Sequence, residues 1–111
     1  MKKHYRVQIA QSGKQDIKEM KTYILRQFKY RELAENFSRK IKRSLKGLDI
    51  FPEGHQQTGF AYRGYQICMK SHETYLIFYV VDEPKQIVTV LRVMQDGMNW
   101  RYIIGRWIRE N

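Results

Sequence analysis

The stretch Tyr75-Leu76-Ile77-Phe78-Tyr79-Val80-Val81-Asp82-Glu83-Pro84-Lys85-Gln86-Ile87-Val88-Thr89-Val90-Leu91-Arg92-Val93 reads as two strands and a turn. From Thr74 to Val81 it is dense in Tyr, Ile, Phe and Val, the residue types that fit a central strand. Asp82-Glu83-Pro84-Lys85 supplies the turn, and Ile87, Val88, Val90, Leu91 and Val93 the second strand. Two such runs around a tight turn predict an antiparallel hairpin. The same grammar extends upstream through Phe60, Tyr62, Tyr65, Ile67 and Met69, a strand interrupted at Gly64.

Further upstream the period changes. Ile17, Met20, Ile24, Leu25 and Phe28 fall on one helical face, and after a restart near Lys29-Tyr30-Arg31 so do Leu33, Phe37, Ile41, Leu45 and Leu48. Ser12 followed by Gln15 has capping-box spacing and predicts where the first helix starts. Phe51-Pro52 and Gly54 end the second helix and open a loop, Glu53 to Gly59. The short join between the helices predicts an αα-hairpin. Before it, Tyr5, Val7 and Ile9 alternate with Arg6 and Gln8, as in a half-buried strand. At the other end Asn99 is a suitable N-cap, and Trp100, Ile103, Ile104, Trp107 and Ile108 form an apolar helical face. The expected fold is α+β: an N-terminal strand, an αα-hairpin, a three-stranded antiparallel continuation of one twisted sheet, and a C-terminal helix. Residues 1–111 are read as a single domain.

Charge narrows the partners. Lys and Arg number 21 against 11 Asp and Glu, a net charge of +10. Such an excess favours a polyanionic partner, whether DNA, RNA, an acidic protein or an anionic membrane, and does not choose among them. Apolar runs are far shorter than the roughly 20 residues of a membrane span, and the basic start at Met1-Lys2-Lys3 leads into alternating residues. A cytoplasmic protein with no membrane partner is expected. The lone Cys68 cannot form an internal disulfide, and no zinc-ligand spacing or Gly-rich phosphate loop occurs, so no metal or cofactor is expected.

Two places stand out for binding. Ser38 to Lys46 holds five cations and no acid, with Arg39, Lys42, Arg43 and Lys46 opposite the Phe37/Ile41/Leu45 stripe. Asp96-Gly97-Met98-Asn99-Trp100 places Met98 and Trp100 beside Arg101, a combination suited to protein contact. Ribonuclease chemistry would need a base, an acid and a cation for the phosphate. The groups available for it are His55, Arg63, Lys70, His72, Glu73, Tyr75, Arg92, Asp96, Arg101 and Tyr102, with Lys70, His72, Arg92 and Tyr102 the catalytic set on that reading.

The succession of Asp16-Ile17, Tyr23-Ile24-Leu25, Ala34 with Phe37, Ile41 and Leu48, Phe51-Pro52, the aromatic strand Tyr75 to Glu83 and Val88 to Val93 resembles RelE/ParE toxins over nearly the whole chain. That resemblance implies a growth-arresting toxin neutralised by a co-encoded antitoxin, here expected to be acidic. It also implies one of two targets: DNA gyrase, or the ribosome with mRNA cleaved in the A site. Leu76 stands where RelE-like toxins carry an arginine, and Gln95-Asp96 where they carry Lys-Arg. The run Leu91-Arg92-Val93-Met94 is closer to the ParE-like branch, although Gln95 to Trp100 replaces that branch's usual His and Arg-Arg-Asp. Gyrase is therefore the favoured target, with the ribosome-dependent endoribonuclease and a general nucleic-acid-binding module as alternatives.

Overall fold

The computed structural model describes residues 4–49 and 56–111. Strand β1 (Arg6–Ile9) leads into helices α1 (Gln11–Phe28) and α2 (Arg31–Lys46), followed by a short 3₁₀ turn, Gly47–Asp49. Four strands come next: β2 (Gln56–Tyr62), β3 (Tyr65–His72), β4 (Tyr75–Asp82) and β5 (Ile87–Gln95). Helix α3 (Trp100–Glu110) closes the chain. The sheet runs β1-β5-β4-β3-β2, antiparallel except where β1 lies parallel to β5. The architecture is α+β, as the patterning predicts.

One difference concerns the run interrupted at Gly64, which is two strands. Arg63 and Gly64 both have positive φ, 51° and 87°, the backbone of a tight hairpin turn that reverses the chain. The antiparallel part of the sheet therefore has four strands. The residues expected to end the second helix, Phe51-Pro52 and Gly54, lie outside the described residues; the α-helix already stops at Lys46, and β2 begins at Gln56, inside the loop expected from Glu53 to Gly59.

Each face of the sheet carries its own core. On one, α2 buries Phe37, Ile41 and Leu45 against Ile77, Tyr79, Val88, Val90 and Val93. On the other, Ile104 of α3, flanked by Trp100, Ile103, Trp107 and Ile108, packs on Ile67, Phe78, Leu91 and Met94. Cys68 is buried in the first core. The alternation of β4 and β5 supplies both, because successive strand residues point to opposite faces. An extra residue in β5, Leu91, shifts the register between Phe78↔Arg92 and Tyr79↔Val90 and re-aims the end of the strand.

Helix α1 covers the part of the β5 edge that β1 leaves bare. β1 pairs only with Ile87 to Val90. Beyond that point Ala10 N donates to Val90 O at 2.8 Å and Ser12 Oγ to Leu91 O at 2.7 Å. The Asp16 carboxylate accepts from Val93 N at 2.9 Å and from Arg92 Nε and Nη2 at 2.7 and 3.1 Å. Gly13 makes the approach possible: a Cβ there would stand 3.0 Å from Ile9 Cγ2 and 3.2 Å from Val90 O. The predicted capping box does not form. Ser12 is used on Leu91, Gln15 donates to Glu19, and the N-cap is Ala10 with no side-chain hydrogen bond. A strand edge otherwise lacking partners took the hydroxyl away from its own helix.

The Asp16–Arg92 pair is 12% and 19% exposed, so removing one member leaves a largely buried charge. Such losses cost about 3–5 kcal/mol. Asp16→Ala should therefore lower the unfolding free energy read from urea melts by an amount in that range, and Asp16→Asn by less, since its amide oxygen can still accept from Val93 N. In an Asp16→Leu/Arg92→Met cycle the double variant should lose clearly less than the sum of the singles. Additive losses would mean the pair is uncoupled.

Candidate functional site

Helical faces that read as wholly apolar in sequence are only partly buried. Ile17, Met20 and Ile24 pack on the core. Further toward the tip of the helical hairpin, Tyr23 is 58% exposed, Phe28 52% and Leu33 42%. These residues wall a groove of about 910 Å³ that opens between the α1–α2 hairpin and the end of the sheet. Phe37, Tyr75 and Val93 lie along its floor, and Met98 (48% exposed) and Ile103 at its mouth. Phe37 and Tyr75 rings meet at 5.3 Å and stiffen that floor. The polar rim includes Glu19, Asn36, Gln95 and the Asp16–Arg92 pair, with Lys40 held 3.4 Å from Glu73. Contiguous exposed apolar surface of this kind marks an interaction site.

Of the residues singled out by sequence, Met98 lies in this groove and Trp100 beside it. Trp100 is half-buried, its ring 5.4 Å from Phe78 and 6.5 Å from Phe60, and Arg101 lies over it at 4.5 Å. Trp100 is thus an anchor of the second core with one side capped by a cation. Asn99 caps α3 as expected, accepting weakly from Tyr102 N at 3.4 Å. Arg92 lines the groove, but its guanidinium is held by Asp16 and lies 5.9 Å from the Trp107 ring.

Arg39, Lys42, Arg43 and Lys46 are all exposed on the outer face of α2. They make four like-charged pairs at i,i+3 and i,i+4 spacing, each opposing the helix by roughly 0.2–0.5 kcal/mol. The helix C-terminus offsets this for Arg43 and Lys46, which lie in the last turn. Lys42 receives no such compensation, whereas Arg39 has the opposite charge of Glu35 at i−4.

Of the residues proposed for ribonuclease chemistry, Lys70 and His72 lie two positions apart on one face of β3, and Arg92 and Tyr102 do not join them. Lys70 donates to Ser44 O near the end of α2 at 3.0 Å, and burial lowers its pKa from the ordinary lysine value. His72 is paired with Tyr75 at the far end of β3. Arg92 is engaged with Asp16, and Tyr102 is exposed on α3, the helix that packs on the opposite face of the sheet from α2. Arg63 lies over the Tyr62 ring at 5.0 Å at the β2–β3 turn, and Tyr62 stacks on Trp107 at 4.8 Å. Asp96 accepts from Gly97 N in the turn before α3. His55 lies outside the described residues. Among the described residues no group of three or more His, Cys, Asp or Glu could hold a metal ion, and no helix is long and apolar enough to cross a membrane.

Sequence reasoning missed three members of the site. Asp16 entered only with Ile17 in the family resemblance, although a carboxylate next to Ile17 on an apolar face needs a partner. Phe28 and Leu33 looked like core because helical periodicity reports a face, not what covers it.

Comparison with known proteins agrees with this geometry. A chain from the chromosomal ParDE toxin–antitoxin system of P. aeruginosa superposes with a TM-score of 0.65 at 11% identity, covering 85% of this chain and 98% of that one. A chain from the RelBE2 toxin–antitoxin complex of Mycobacterium tuberculosis superposes with a TM-score of 0.58 at 15% identity, covering 86% and 94%. At these identities the likeness speaks for the fold. No curated protein matches the sequence. The family described as the ParE toxin of the type II toxin-antitoxin system parDE matches residues 7–100, and the chain belongs to that family.

Proposed function

We propose that this chain arrests bacterial growth by binding DNA gyrase, without hydrolytic chemistry of its own, and that an acidic antitoxin neutralises it by occupying the groove. The observation that carries the target is the separation of Arg92 and Tyr102 from Lys70 and His72, which leaves the two β3 residues without the rest of the set. Proton transfer needs groups within hydrogen-bond reach of one another or of a shared substrate. Here one is bonded to the end of α2, one is locked in an ion pair, and one lies on a helix against the other sheet face. Membership of the ParE family points the same way. A binding mechanism asks only for a docked surface with a few anchors.

The antitoxin reading rests on the groove. Its apolar walls suit the nonpolar face of a partner helix or strand, and a domain of net charge +10 suits a partner with acidic residues. A contact built of both should outlast screening. The complex with the co-encoded protein is expected to remain associated at about 1 M salt, where the screening length is roughly 3 Å. Phe28→Ser with Met98→Ser should raise its Kd by at least tenfold while leaving the thermal midpoint within a few degrees. Sedimentation and calorimetry read both; full dissociation in high salt would reduce the contact to electrostatics.

Expression from a tight promoter should stop growth, and His72→Ala should leave that toxicity intact. Loss of a general acid or base ordinarily costs about 10²–10⁴-fold in rate. Purified protein should inhibit plasmid supercoiling by gyrase and leave mRNA on ribosomes uncut. Codon-specific cleavage by primer extension, abolished by His72→Ala, would establish the endoribonuclease instead.

A further inference from the structure

The outer face of α2 takes part in neither the core nor the groove. We infer that it is a docking surface for duplex DNA, holding the phosphate backbone through Arg39, Lys42, Arg43 and Lys46. At 100° per residue the four fall within an arc of about 100° and span about 10 Å of helix axis. All four are exposed, and none forms an ion pair among the described residues. Arg39 donates to the side-chain oxygen of Asn36, a neutral partner.

The carboxylates nearby relieve only the two ends of the stripe. Glu73 is taken by Lys40, and Asp49 faces His4 at 4.0 Å. Glu32 lies in the first turn of α2, where carboxylates are favourable, and Glu35 offers an opposite charge at i−4 to Arg39 alone; Lys42 and Arg43 have no carboxylate at i±3 or i±4. The surface is therefore a compact cationic block whose natural complement is a polyanion.

Its composition selects the kind of polyanion. Proteins that grip single strands combine cations with aromatic platforms on which bases stack. The exposed face from Arg39 to Lys46 has no aromatic side chain; Phe37 points into the core. A straight helix carrying only long flexible cations can follow the phosphates of a duplex without reading its bases. None of the four lines the groove, so DNA and a groove-bound protein can be held together.

The test is fluorescence anisotropy of the purified chain with a labelled 20-base-pair DNA duplex between 50 and 200 mM salt. Four phosphate contacts predict a slope of log K against log salt near −3.6, a loss of about 10²-fold in affinity over that range. The variant R39Q/K42Q/R43Q/K46Q should lose most of that slope. The variant K14Q/K18Q/K21Q/R26Q, which removes the same charge from exposed positions of α1, should keep it. The matching single strand and a duplex RNA of the same sequence should bind more weakly than the DNA duplex. Thermal melts accompany both variants. Should the quadruple α2 variant melt early, R39Q/K42Q and R43Q/K46Q carry the test, each expected to lose about half the slope. Equal loss in the α1 and α2 variants, or a single strand or RNA bound as tightly as duplex DNA, overturns the inference. The measurement needs neither growth arrest nor gyrase, so its failure is separate from that of the toxin mechanism.

Discussion

Asp16 is the point on which the arrangement of layers depends. Its one carboxylate answers an arginine and a backbone amide of β5, where β1 has already ended. Without it the outer edge of β5 beyond Val90 would present unpaired groups, and α1 would have little to hold it there. Gly13 is the only fully buried residue of α1, so polar contacts and close backbone approach at its first turns add to the partial burial of Ile17, Met20 and Ile24. This explains the groove: a helix fastened at its first turns leaves its apolar residues uncovered at the far end.

The molecule therefore divides its surface by chemistry. The groove between the helical hairpin and the sheet offers apolar area with a mixed polar rim, whereas the outer face of α2 offers charge alone. Both are built on the same helix, whose inward stripe of Phe37, Ile41 and Leu45 fixes its rotation and so decides which residues face each way. A change that rotated α2 would disturb the two surfaces together.

The fold was largely legible because its strongest signals are local. Period-2 runs in β4 and β5 and the apolar stripe of α2 need no tertiary information. What stayed hidden was set by distant partners. Ser12 looked like a cap because the edge it serves is 79 positions away. Gly64 looked like an interruption because a tight turn and a flaw within a strand share the same letter. The groove was invisible for a related reason: Phe28 and Leu33 carry the periodicity of core residues, and only the packed structure shows that nothing covers them. The cationic block, by contrast, could be placed from sequence, since exposure of Arg39, Lys42, Arg43 and Lys46 follows directly from burial of the opposite stripe.

The parallel pairing of β1 with β5 also sets an order of events. Gln8 and Thr89 are partners 81 positions apart, so the sheet cannot be completed while the chain is short. At synthesis rates of about 5–20 residues per second, β1 waits roughly 4–16 s for its neighbour to emerge. Over that interval the first strand and much of α1 have no edge to rest on, and closing so long a loop is itself slow. A nascent chain of this kind acquires its finished surfaces only near the end of its translation, which gives a partner already present in the cell a head start on the folded protein.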